Sequence, residues 1–289
     1  MNVHLTAIEI PTAENHQLAS IKFFSKKNIN QTLVISSATG VLQQYYTKFA
    51  KFFAEKGFIV YTFDYHGIGK SGYPISVLKK NAIKLTGWGS IDQAAIIAFA
   101  KNENPQNSLT LITHSVGGQI LGFNTNHQLI DKVILVASQT GYWKDFKGIH
   151  KLKMWSFWYV LIPLLTPIFG YFPAKKLGLF ENLPKNMVYE WASWGKKKKY
   201  MMQFYNQKDY FFDALKIPVL ALSFSKDDFA PKNTVDQLVN HYSNALVEQI
   251  HHSPKKSEKH VRHFGFFKSA FREPLWESSL QWILNNKYQ

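Results

Sequence analysis

The chain has 289 residues, is 46% hydrophobic and 16% aromatic, and carries a formal net charge of +15. That length suits one large α/β domain with an insertion or two modest domains, and the apolar content excludes a disordered chain. The sequence contains no cysteine, which excludes disulfides, thiolate catalysis and cysteine-ligated zinc or iron–sulfur centres.

The first residues, MNVHLTAIEIPTAEN, lack a basic region followed by a continuous apolar run, so no signal peptide is expected and the expected location is cytoplasmic. The positive charge admits nucleic acid, an anionic membrane surface or an anionic substrate as partner. The densest basic run, Lys196 to Lys199, comes with no helix-turn-helix, zinc-finger or RNP-type pattern. Nucleic acid is therefore not expected, and the run reads as a solvated face.

Along the chain, two strands of mixed pattern at 3–10 and 17–24 suit an antiparallel edge. The apolar run TLVISSA (32–38) predicts a strand, and YYTKFAKFFAEKG (45–57) predicts an amphipathic helix closed by Gly57. Further strands are predicted at 58–64, 109–113, 132–137, 217–225 and 246–250. Helices are expected at 91–101, 232–242 and 274–285, with a short one after residue 115. Near-continuous apolar strands alternating with helices argue for an α/β fold with a mostly parallel sheet covered on both faces.

The segment GIGKSG (67–72) follows a strand and invites a phosphate-loop reading. The required first glycine is Asp64, a carboxylate where phosphates would sit, so a turn is the better account. In LTLITHSVGGQI (109–120), Ser115 sits between strand and helix with Gly117 and Gly118 behind it. A serine needs a base to become a nucleophile, and a sharp strand–helix turn exposes its hydroxyl. The two glycines let strand and helix approach, and the Val116 amide at the helix start is placed to stabilise an oxyanion. The base is expected from a late loop. His241, His251, His252, His260 and His263 are candidates, with His263 favoured by the apolar FGFF that follows it. The acid is expected after the strand at 217–225, where KDDFAP offers Asp227 and Asp228.

Residues 142–213 interrupt the strand–helix alternation. They are rich in tryptophan, proline and lysine, and hold the nineteen uncharged residues 154–172, MWSFWYVLIPLLTPIFGYF. Pro163 and Pro167 are expected to break any single long helix. The segment reads as a lid inserted between 1–141 and 214–289. Trp155, Trp158, Leu161, Leu164, Leu165 and Phe169 share one apolar surface, and Trp155 and Trp158 are expected to contact substrate. Lys151, Lys153, Lys175 and Lys176 at its ends admit a peripheral membrane contact through the lid.

FDYHGIGKSG, THSVGG, DDFAP and HFGFF resemble the landmarks of the α/β-hydrolase superfamily, and the resemblance covers nearly the whole chain. SSATGVLQQYY, ASQTGYW and FGYFPAKKLG are similar to an uncharacterised group of predicted serine α/β-hydrolases. The resemblance implies a mostly parallel central sheet with helices on both faces and a helical lid. It selects Asp227, four residues before Pro231, as the acid and His263 as the base for Ser115. Thr39-Gly40 stands where the family has His-Gly, making Val41 the second oxyanion donor beside Val116, with Thr39 and Gly40 as alternatives. Thr113 replaces the elbow's first glycine. The implied activity is serine-dependent cleavage of a carboxylic ester or thioester with an apolar acyl part, a small-molecule or lipid-like substrate, with no metal or organic cofactor. An acyltransferase, or a non-catalytic or membrane-surface binding protein on the same fold, are the alternatives.

Overall fold

The computed structural model describes residues 2–288 apart from Tyr73, Asn81 and residues 256–258. Its strands are β1 (His4–Pro11), β2 (Gln17–Phe24), β3 (Gln31–Ser36), β4 (Ile59–Phe63), β5 (Ser108–His114), β6 (Lys132–Val136), β7 (Pro218–Phe224) and β8 (Leu246–His252). They form one eight-stranded sheet in the order β1-β2-β4-β3-β5-β6-β7-β8. β1 pairs antiparallel with β2, and β2 with β4. All other pairings are parallel. The antiparallel edge and the parallel body follow the contrast between the mixed pattern of the first two strands and the apolar runs of β3 to β7; β8, LVEQIHH, is a mixed, part-exposed strand at the other edge. Every residue of β5 and β7 after the first is buried, as parallel strands covered on both faces require.

The main helices are α1 (Thr47–Glu55), α2 (Ala94–Glu103), α3 (Val116–Ile120), α4 (Gly148–Phe169), α5 (Lys185–Gly195), α6 (Lys232–Val239) and α7 (Glu277–Asn285). α1 packs on the turn that leads into α7, with the Phe49 and Trp276 rings 5.3 Å apart, edge to face. Asp64 explains the turn after β4. Its carboxylate accepts the amides of Gln43 at 2.7 Å and Lys70 at 3.0 Å, so it organises the GIGKSG segment from within.

α4 departs from expectation. Pro163 and Pro167 do not break it: the helix runs unbroken for 22 residues, with a π-helical turn at Phe157–Leu161. A π turn shifts the hydrogen-bond ladder by one residue, and here it comes directly before the first proline, whose ring would otherwise collide with the preceding turn. Gly170, at φ +78°, ends the helix in the left-handed region, where a side chain would be strained. By length and composition α4 is also the one helix among the described residues apolar enough to cross a membrane.

α4 is fastened to the rest of the chain by Trp158. Its ring is fully buried, and its indole N–H donates to the Gly141 carbonyl at 3.1 Å. A Cβ on Gly195 would lie 2.3 Å from that ring, so α5 reaches it only because residue 195 has no side chain. The expectation that Trp155 and Trp158 share one surface is therefore corrected. Three residues apart on a helix, they point differently: Trp158 packs inward, while Trp155 is exposed and stacks on Tyr159 at 5.9 Å.

Candidate active site

Between β3 and β5 the strand order reverses its direction of growth, and in open α/β sheets ligands bind outside the carboxyl ends of the strands at such a point. β5 delivers Ser115 there. The serine has φ +53° and ψ −112°, a conformation costing about 1–3 kcal/mol for a residue with a Cβ. The glycines behind it are required by space. A Cβ on Gly117 would lie 2.7 Å from the Ser36 carbonyl oxygen, and one on Gly118 would lie 2.5 Å from Ser138. Thr113 fits the strand and meets the Ser138 hydroxyl at 3.0 Å.

The loop after β7 carries Asp227. One carboxylate oxygen accepts the amides of Phe229 at 2.9 Å and Ala230 at 2.8 Å, which fixes the side chain in its own turn. The carboxylate also takes the Nδ1–H of His263, at 3.0 and 3.1 Å to its two oxygens. The side chain of Asp227 is fully buried and that of His263 nearly so. Asp228 turns the other way and meets His150 of α4 at 3.3 Å. The remaining late histidines have separate partners. His260 bonds the Ser225 hydroxyl, His251 bonds Ser223 and His252 bonds Tyr288, while the His241 ring lies against Phe212.

Ser115 itself is buried, and its hydroxyl rests on the Gln139 side-chain amide at 3.4 Å. The serine and the histidine loop are joined through His114, whose Nε2 lies 3.0 Å from the His263 carbonyl oxygen. A cavity of about 790 Å³ lined by His16, His66, Lys80 and Thr86 involves none of these groups.

The loop after β3 requires a correction. Val41 donates its amide to the Ala38 carbonyl at 3.1 Å, closing a turn in which Gly40 takes φ +64°. That N–H is consumed by the turn and is not available to an oxyanion. Among the described residues the amides of Thr39 and Gly40 have no acceptor, and the Thr39 hydroxyl is buried without a partner. The Val116 amide, at the first position of α3, likewise has no acceptor among the described residues.

Sequence reasoning missed the aromatic groups around this site. Phe229 and Phe264 stand beside the His263 ring, with centroids 5.3 and 4.9 Å away, and both are exposed. Phe180 covers Gly40: a Cβ there would lie 2.8 Å from its ring. The HFGFF motif contains the signal for Phe264, as an aromatic directly after His263.

The fold, and the joint that holds Ser115, define a serine α/β-hydrolase. Residues 27–189 match the serine aminopeptidase S33 family, and the chain belongs to that family. No curated protein matches the sequence. Solved structures share the fold at low identity. The esterase Pf2001 of Pyrococcus furiosus is 16% identical with a TM-score of 0.64, over 99% of this chain and 92% of that one. A thermostable carboxyl esterase from Bacillus coagulans is 11% identical with a TM-score of 0.66, over 99% of both chains. DcsB, solved with a substrate analogue, is 13% identical with a TM-score of 0.68, over 98% of this chain and all of that one.

Proposed function

We propose that the protein cleaves carboxylic esters or thioesters with an apolar acyl part through an acyl-enzyme on Ser115. The observation that carries this reading is the bond from His114, the residue next to Ser115, to the carbonyl of His263 at 3.0 Å, which ties base and nucleophile to one rim. Asp227 holds Nδ1 of His263, which leaves Nε2 as the atom that accepts a proton.

The Ser115 hydroxyl leaves Gln139 and turns to Nε2 of His263. Its oxygen attacks the acyl carbon while the proton passes to His263. The oxyanion is held by the amide of Val116 and by that of Thr39 or Gly40. Collapse breaks the bond to the alcohol or thiol, which departs with the proton from His263. Water then attacks the acyl-enzyme, its proton moves to His263 and on to Ser115, and the carboxylic acid leaves.

Residues 142–213 act as the lid in this reading. Their contacts with both sides of the crevice support it: Glu181 donates its amide to the Gly40 carbonyl at 3.0 Å, and His150 reaches Asp228 at 3.3 Å. Phe180, Phe229 and Phe264 supply the apolar surface for the acyl part. The acidic side chains nearby are engaged, Asp227 with His263, Asp228 with His150 and Glu181 with Lys175. That arrangement favours a neutral ester over the terminal ammonium of a peptide.

The test is kcat/KM for aryl esters from acetate to hexanoate, beside an aminoacyl arylamide. Each buried methylene adds up to ~0.8 kcal/mol, so hexanoate gains up to roughly two orders of magnitude at ~1.4 kcal/mol per tenfold. Phe180→Ala flattens the profile. Equal use of all esters, or preference for the arylamide, contradicts the reading.

A further inference from the structure

α4 carries apolar residues on the side turned away from the protein. Ile149 (59% exposed), Leu152 (58%), Trp155 (38%), Tyr159 (42%), Leu164 (57%) and Ile168 (68%) all face outward. Trp158, Ile162 and Thr166, spaced four apart on the opposite side, are buried. Soluble helices place their apolar stripe against the core and charge outside. Here both sides are apolar, and from Trp155 to Ile168 the outward side has no charge.

Lysines stand around the rim of that face. Lys144 and Lys151 lie 5.3 and 5.6 Å from the centre of the Trp143 ring, Lys196 lies 5.0 Å from Tyr159 and Lys176 lies 4.6 Å from Phe169. The basic run at residues 196–199 thus borders the middle of α4, and the other three lysines mark its two ends. Trp143, Leu152 and Trp155 also frame an open groove of about 410 Å³.

We propose that this face docks on an anionic lipid bilayer, with α4 lying along the surface. This docking does not depend on the chemistry at Ser115. Aromatic and aliphatic side chains ringed by lysines match the boundary between acyl chains and negative headgroups. A second copy of the chain fits less well. Residues 142–213 hold twelve lysines against five carboxylates, and a two-fold contact would press two such faces together. Crossing the membrane is excluded by the buried side of α4, because Trp158 and Ile162 belong to the protein core.

The experiment is sedimentation of the full chain with vesicles of phosphatidylcholine alone and of phosphatidylcholine mixed with an equal amount of phosphatidylglycerol. Binding is expected to the mixed vesicles, weakening as salt is added. The double variant Leu164→Glu/Ile168→Glu is expected to lower the partition coefficient at least ~tenfold, and Lys196→Ala about fivefold. Leu164 and Ile168 are exposed and Lys196 is partly exposed, and unchanged circular dichroism and thermal midpoint verify the fold of both variants. Vesicles with brominated acyl chains are expected to quench Trp155 and its groove neighbour Trp143, and the quenching is reduced in Trp155→Phe. Failure of the native chain to bind mixed vesicles, or equal binding by the Glu variant, overturns the proposal. So does a dimer in solution that the Glu substitutions dissociate, which assigns the face to a second copy.

Discussion

His114 Nε2 lies 3.0 Å from the carbonyl oxygen of His263, and His114 Nδ1 lies 2.9 Å from the Tyr46 hydroxyl. A carbonyl only accepts, so Nε2 carries the proton and Nδ1 receives the Tyr46 O–H. The Tyr46 oxygen in turn accepts the amide of Ala38 at 2.9 Å. One buried, neutral imidazole therefore connects the loop after β3, the Ser115 joint and the loop of His263. His114→Phe strands the Tyr46 hydroxyl and the His263 carbonyl away from water. Each such group costs about 1–3 kcal/mol, so urea unfolding should show a loss of roughly 2–6 kcal/mol. A variant as stable as the native chain removes this network from the account.

The same residue gives stability a direction with pH. Burial, and secondarily the charge of His263, hold the His114 pKa well below the usual histidine range. His66 is lowered to about 4, chiefly by burial and then by His16. Both folded values lie below the unfolded one near ~6.5. The stabilisation is therefore complete above pH ~6.5 and lost as pH falls, because the unfolded chain takes up the protons first. For fully buried His114 the slope reaches about 1.4 kcal/mol per pH unit; half-buried His66 contributes less, screened by solvent. Unfolding free energies from pH 7 to 5 should decline, and decline less steeply in His114→Phe. A flat profile contradicts the assignment.

Asp227 and Asp228 are adjacent but separated in task. Asp227→Asn keeps the shape of the side chain but removes the carboxylate that accepts Nδ1–H of His263 and orients its ring. Turnover of an aryl ester should fall by roughly three to four orders of magnitude. Asp228→Asn only weakens the half-exposed pair with His150 and should leave turnover within a fewfold. The opposite ranking would reassign the acid.

Gly117 and Gly118 are small for different reasons, and a double-variant cycle separates them. In Gly118→Ala the new methyl meets a side chain, Ser138 at 2.5 Å. Overpacking of this kind costs about 1–3 kcal/mol, and adding Ser138→Gly should restore most of it. In Gly117→Ala the methyl meets both the carbonyl oxygen and the hydroxyl of Ser36, each at 2.7 Å; Ser36→Gly removes only the hydroxyl, so the backbone clash persists and recovery should be smaller. Equal recovery in the two pairs would show that the backbone yields there.

All eight strands were legible because their patterns leave little choice. The central parallel strands are near-continuous apolar runs and the edge strands alternate, and each predicted strand falls within about two residues of the observed one. The serine joint was legible because Gly117 and Gly118 answer a steric demand that the sequence spells out. The orientation of α4 was not. With apolar residues on both sides, periodicity cannot say which side is buried, so it does not reveal that Trp158 points inward and Trp155 outward. The Val41 assignment failed for a different reason. A turn bond to Ala38 depends on the φ of Gly40, and residue type alone does not reveal which amide such a turn consumes. His114 carried a faint signal, a titratable ring closing an otherwise apolar strand, but its partners Tyr46 and His263 are distant in sequence.

The central claim is that Ser115 is the acylated nucleophile, and covalent labelling tests it most directly. The native chain is treated with a fluorophosphonate, its intact mass is measured, and the modified peptide is sequenced. The account predicts one adduct per chain, located on Ser115, abolished in Ser115→Ala and slowed strongly in His263→Ala. An adduct on another residue, or labelling of Ser115→Ala at the native yield, would contradict it.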